Sequence, residues 1–241
     1  MRPTADFPVP PAHGYRGDPE PTTLARPRGL SVAISREAGA RGGSIARKVG
    51  ELLGWQVFDQ ETLDYLLQND TACEQLLSDL PNAAVVWANL HFARLQREQK
   101  WTADTDTAGM IRLLLAVAAR GDAVIVGRGA GYLLPPETTL HARVVAPVEA
   151  RIAYFAQWLR LNREEAAAEV RARDDRRTKF LARILGRNPA DATGYDVVVN
   201  AGRLGIEAAA QFIGWAVRTK QMFAELRESD ESSPLNDLPE P

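Results

Sequence analysis

The chain predicts an α/β fold, with a parallel sheet of about five strands flanked by helices. Three observations carry this. Short apolar, β-rich runs recur along the 241 residues, at 30–35 (LSVAIS), 55–58 (WQVF), 123–126 (AVIV), 140–145 (LHARVV) and 197–200 (VVVN). Segments with apolar residues at helical spacing separate them. The run AVIV is continuously apolar, as in a strand buried on both faces. Strands alternating with helices imply crossover connections and a parallel sheet. Hydrophobic residues make up 45% of the chain, enough for a real core, and the length fits one domain with insertions.

Each element has a local reason. The first strand leads into the glycine-rich turn REAGARGG, residues 36–43. Ser44 to Leu53 then places Ile45, Ala46, Val49, Leu52 and Leu53 at helical spacing, and Gly54 stops the helix. The second strand ends at Asp59. A helix begins at Glu61, and the pattern stays mostly helical to Trp101, with Pro81 interrupting it. Ala108 to Arg120 is a further helix closed by Gly121. The strand AVIV runs into Gly127-Arg128-Gly129, and Pro135-Pro136 marks a turn. After the fourth strand Pro147 opens a helix. Asn162 and Glu165 have the spacing of a capping box ahead of a long charged helix. The last strand precedes a closing helix from about Gly205, a surface on which a homodimer could form. The helical segments about 60–106 and 162–190 read as insertions at the rim of the sheet. The segment 29–228 is the expected folded domain. Residues 1–28 and 229–241, rich in Pro, Gly and charge, are the expected disordered tails.

Composition narrows the function. A net charge of −2 argues against nucleic-acid or anionic-membrane binding through bulk charge. No apolar run approaches a membrane span. The single cysteine, Cys73, excludes an internal disulfide and suits a reducing, cytoplasmic setting. His13, His91 and His141 have no metal or triad spacing. Trp87, Trp101 and Trp158 fall on helices and read as core residues, with Trp101, which opens a polar stretch, partly exposed.

The turn after the first strand is the candidate site. A phosphate loop points successive backbone N–H groups into a concavity, and the following helix N-terminus adds partial positive charge. Glycines let the backbone approach the phosphate and reach positive φ. Gly39, Gly42 and Gly43 fit that need, and Ser44 stands where a metal-binding hydroxyl would be. The usual lysine is missing, because Gly42 falls in its place. A plain strand–turn–helix fits the pattern equally, with Ser44 as a helix N-cap.

The segment AISREAGARGGSIARKVGELLGWQVFDQETLDYL resembles the opening of the cytidylate kinase-like family, including its Ser-Arg-Glu, its lysine-free loop and the strand ending in Phe58-Asp59. Two later blocks are similar to the same family: AVIVGRGAGYLLPPETTLHARVVAPVEARI, and the stretch from Asp174 through Arg177 and Phe180 to YDVVVNAGRLGIEAAAQFI. Together the blocks cover roughly residues 29–216. The resemblance implies a P-loop NTPase-type three-layer sandwich with helical acceptor-binding and lid insertions. It also implies ATP and Mg²⁺ as donor, and a nucleoside monophosphate, CMP or dCMP above all, as small-molecule acceptor. The chain departs from cytidylate kinases in four places. The loop lysine is absent, no Asp follows AVIVG, Gly129 replaces an Asp, and Arg177 and Phe180 stand where an acidic residue and an arginine help read the sugar.

In this reading Arg36, Gly39, Ala40, Arg41, Gly42, Gly43 and Ser44 hold the nucleotide phosphates, with Arg36 or Arg41 replacing the lysine and Ser44 touching Mg²⁺. Asp59 and Arg128 bind the acceptor at the sheet edge where α/β folds take ligands. Arg128, Arg173, Asp174 and Arg177 serve catalysis, since phosphoryl transfer asks mainly for positioning and charge. Arg173 and Arg177 share a helix face, and Asp174 can pair with Arg177. The bland alternatives are a solvated Arg41 and an ordinary charged face for the helical arginines. A non-catalytic nucleotide-binding protein is the competing function.

Overall fold

A computed structural model describes residues 29–98 and 105–231. The expected N-terminal tail, His13, Trp101 and residues beyond 231 lie outside these. Five strands form one sheet: β1 (Ser31–Arg36), β2 (Gln56–Phe58), β3 (Ala123–Val126), β4 (Thr139–Val145) and β5 (Val197–Asn200). Their order is β2-β3-β1-β4-β5. Every pairing is parallel, with Ser31 level with both Ala123 and Thr139.

Side chains alternate across the sheet, and each face has its own core. Val32, Ile34, Val124, Val126 and Val144 meet α1 (Gly42–Leu53) and α9 (Ala201–Glu231) through Ile45, Val49, Ile213 and Val217. On the other face Ala33, Phe58 and Ile125 pack on α4 (Asn82–Arg97) and α5 (Thr105–Arg120) through Trp87, Ile111 and Leu114. Leu63 and Leu66 of α2 (Gln60–Gln68) join this second core. The short helices α3 (Asp70–Ser78) and α6 (Ala130–Leu133) complete that layer. The result is the expected three-layer α/β sandwich.

Helices α7 (Val148–Leu159) and α8 (Arg163–Leu185) make a hairpin. Ile152, Phe155, Ala166 and Val170 bury between them and enclose Ala38 of the glycine turn. The capping box at the start of α8 is formed: Asn162 Oδ1 accepts from Glu165 N at 2.9 Å, and Glu165 Oε2 accepts from Asn162 N at 2.9 Å.

Three local expectations are corrected. Helix α1 starts at Gly42, capped by Arg41 in the left-handed region, so Ser44 lies inside the first turn and is not the N-cap. The closing helix starts at Ala201, where Asn200 Oδ1 accepts from Gly202 N and Arg203 N, while Gly205 (φ 74°, ψ 178°) is a break inside it. Trp158 is 57% exposed, stacked beside Tyr154, and not in the core.

Candidate active site

The end of β1, the turn after β3, Arg143 of β4 and the roof of α8 line a cavity of about 520 Å³. Six arginines line it: Arg36, Arg128, Arg143, Arg173, Arg176 and Arg177. No acidic residue is among the lining residues. A concave site with such a wall is built for a small polyanion.

Arg36 is its centre. Two glycines leave its space: a Cβ at Gly42 would stand 2.6 Å from Arg36 Cβ, and one at Gly127 would stand 2.0 Å from Arg36 Nη1. The arginine stem therefore fills the ground that a side chain at Gly42, the position of the missing lysine, would need. Arg36 forms no ion pair among the described residues. Burial and the neighbouring Arg177 and Arg128 charges pull its pKa down to about 10, with Asp59 opposing them. It remains charged at neutral pH, and an arriving anion would relieve the strain of three crowded guanidiniums. Arg41 differs. Its backbone turns left-handed (φ 59°) and its guanidinium lies over the Tyr154 ring, 5.4 Å from the centroid, exposed and away from the cavity.

None of residues 37–44 lines the cavity, and the open backbone donors of the turn lie at the start of α1. No side chain caps α1, so the N–H groups of Gly42, Gly43 and Ser44 have no intrahelical acceptor. A Cβ at Gly43 would meet nothing within 4 Å, so the approach is open. Ala38 N is already used: it donates to Asp174 Oδ1 at 2.7 Å. Asp174 also pairs with Arg151, and Arg151 Nη1 donates to Ala38 O at 3.1 Å. Glu37 Oε2 accepts from Ala146 N at 3.1 Å and lies 3.5 Å from Arg151 Nε. The expected pairing of Asp174 with Arg177 is present at 3.6 Å. Asp174 thus ties α8 to the glycine turn.

Arg128 (φ 55°) stands at the sheet edge. It pairs with Asp64 of α2, and its buried Nε has no hydrogen-bond partner among the described residues. An unmet buried donor in this wall fits an anionic ligand. Asp59 is elsewhere engaged: it caps α2, accepting from Thr62 N and Thr62 Oγ1 at 3.0 Å each. It does not line the cavity and reaches Arg36 only through its charge. From α8, Arg173, Arg176 and Arg177 all line the cavity. Arg173 is held by Glu169 at 2.5 Å and sits over Phe155. Arg177 Nη1 lies 3.5 Å from Arg36 O, and burial pushes its pKa down.

Sequence reasoning missed one wall. Arg143 and Tyr195 line the cavity beside Ser35. Arg143 Nη1 donates to Tyr195 Oη at 2.9 Å, and Tyr132 Oη donates to Tyr195 Oη at 2.7 Å. Behind them buried His141 meets Ser35 Oγ at 2.9 Å, and burial lowers its pKa to about 4. It is a neutral structural residue at pH 7, as expected. Among the described residues no group of three or more His, Cys, Asp or Glu could hold a metal. Ser44 sits half-buried in the first turn of α1.

A profile of the cytidylate kinase-like family matches residues 31–203. The chain belongs to the cytidylate kinase-like family. A cytidylate kinase from Ignicoccus hospitalis (strain KIN4/I) is 28% identical over 102 residues, 42% of this chain and 59% of that enzyme. The similarity therefore spans less than two thirds of that relative. An uncharacterized protein from Eubacterium ventriosum shares the fold with a TM-score of 0.55 at 17% identity, over 78% of this chain and 98% of that one. A shikimate kinase from Acinetobacter baumannii aligns with a TM-score of 0.44 at 13% identity, over 80% and 95%. These similarities show the family and the shared α/β fold. No helix among the described residues is long and apolar enough to cross a membrane.

Proposed function

We propose that the protein transfers a phosphoryl group from ATP, with Mg²⁺, to a nucleoside monophosphate, with CMP and dCMP as the first acceptors to test. The observation that carries this is the six-arginine cavity, in which Arg36 packs its stem against Gly42 of the lysine-free glycine turn. When bound, Mg²⁺-ATP supplies the phosphoryl group. The chain's own residues position and neutralise. The N–H groups of Gly42, Gly43 and Ser44 and the dipole of α1 hold phosphate oxygens. Arg36 adds the cation that a lysine would have brought, in a fork suited to two oxygens. Arg128 grips the acceptor phosphate with the part of its guanidinium that lines the cavity. Arg173, Arg176 and Arg177 close from α8, balance charge on the transferring group and exclude water. Asp174 is a positioning residue here, because it binds Ala38 N and Arg151 and does not face the cavity. Arg41 carries no part of the charge replacement.

The occupied Ala38 N–H favours a second reading, a nucleotide-binding protein without turnover, in which the lid carboxylate takes a contact otherwise open to phosphate. A coupled ADP-release assay against CMP, dCMP, UMP, AMP and GMP separates the two. Turnover with one acceptor supports the kinase. ATP binding by calorimetry with no turnover on any acceptor supports the second reading.

A further inference from the structure

Helix α9 buries one face through Ala209, Ala210, Ile213 and Val217. Its opposite face is also apolar. Phe212 is 47% exposed, Trp215 54%, Met222 50%, Phe223 53% and Leu226 52%. At about 100° per residue these positions and Thr219 fall within roughly 100° of arc, a stripe about 21 Å long. Phe212 and Trp215 pack edge to face, with centroids 5.5 Å apart, as one aromatic block.

Four of the five large residues of the stripe are placed symmetrically about Thr219, while Met222 is mirrored by Ala216. Trp215 and Phe223 lie four residues to either side, and Phe212 and Leu226 seven. If a second copy of α9 lies antiparallel on it with the two-fold axis at Thr219, Trp215 meets Phe223 of the other copy and Phe212 meets Leu226. The one small polar residue falls at the crossing, where helices come closest. Such self-complementarity is what a two-fold interface requires. With half of each of the five large side chains exposed and about 150–250 Å² per side chain, the stripe offers roughly 400–600 Å² per copy. At roughly 800–1,200 Å² in total this falls at the low end of specific interfaces, and its aromatic and Met content is that of interface cores. Along residues 206–231 five acidic residues outnumber three basic ones, so the helix lacks the basic character of a membrane-surface helix. Helix α9 packs on the α1 face, and none of its residues lines the arginine cavity.

We propose that this stripe is the interface of a homodimer, formed by antiparallel α9–α9 packing across Thr219. The test is light scattering and sedimentation of the full chain between about 1 and 100 µM, a range that brackets an interface of this size. Thr219→Cys and Phe212→Cys, each in a Cys73→Ser background, are then treated with a short bis-maleimide. The expected results are a mass near twice 26.4 kDa at the upper concentrations, its loss in Trp215→Glu/Phe223→Glu with an unchanged melting temperature, cross-linking of Thr219→Cys, and none for Phe212→Cys, whose copies lie about 21 Å apart in this register. A protein monomeric throughout, a dimer untouched by the double substitution, or equal cross-linking at residue 212 would overturn the proposal. If the double variant unfolds, the two cysteine variants decide.

Discussion

Restoring the missing lysine should harm this protein unless Arg36 is removed first. Gly42 has ordinary helical backbone, so replacing glycine by lysine there would by itself gain about 0.5–1 kcal/mol from the unfolded state. The added Cβ, however, would sit 2.6 Å from Arg36 Cβ and 2.9 Å from Arg36 Cγ. These atoms belong to the fixed root of the side chain and cannot swing clear. Overpacking of this kind costs about 1–3 kcal/mol. Gly42→Lys alone is therefore expected to lose about 1–2 kcal/mol, and the loss should vanish in Arg36→Gly/Gly42→Lys. Urea unfolding of the four proteins gives a double-mutant cycle with a coupling of about 2 kcal/mol. The same double variant should recover ADP binding that Arg36→Gly loses, because the lysine then reaches the phosphates. A Gly42→Lys protein as stable as the parent would refute the claim that Arg36 occupies the lysine's ground.

Acid should expose the buried histidine. The pKa of His141 falls from 6.5 to about 4 on folding, so its neutral form is favoured in the native state. The stability this represents is complete above pH 6.5 and is lost as pH falls toward 4: about 2 kcal/mol by pH 5 and about 3 kcal/mol in all. His141→Asn should flatten that slope between pH 7 and 5 in urea titrations, and parallel slopes would contradict the assignment. Asp174→Asn removes the charge that holds Arg151 and Arg177 and should cost about 1–2 kcal/mol, read as a lowered urea midpoint. Arg41→Ala, by contrast, should leave the KM for ATP within about twofold, since its guanidinium packs on Tyr154 outside the cavity.

The strands were legible because their faces are covered. AVIV reads as a buried strand since Val124 and Val126 meet one core while Ala123 and Ile125 meet the other. The capping box of α8 was legible because Asn162 and Glu165 act within one turn. The start of α9 was not. Asn200 caps it from the strand end, and Gly205, taken as a beginning, is a bend that only glycine adopts. Nor could spacing choose between Arg36 and Arg41, because the choice rests on Gly127, far along the chain, which makes room for one of them. Arg151, Arg143 and Tyr195 escaped for the same reason. Arg151 reaches Ala38 across 113 residues of sequence, and no local pattern marks it.

The central claim is that Arg36 supplies the loop charge for phosphoryl transfer, and single-turnover transfer from ATP to the best acceptor tests it most directly. Arg36→Ala should lower that rate about 10²–10³-fold, the cost of losing one preorganised charge stabiliser, with its melting temperature nearly unchanged and Arg41→Ala at the parental rate. Equal rates in Arg36→Ala and the parent, or a loss that follows Arg41 instead, would contradict the account.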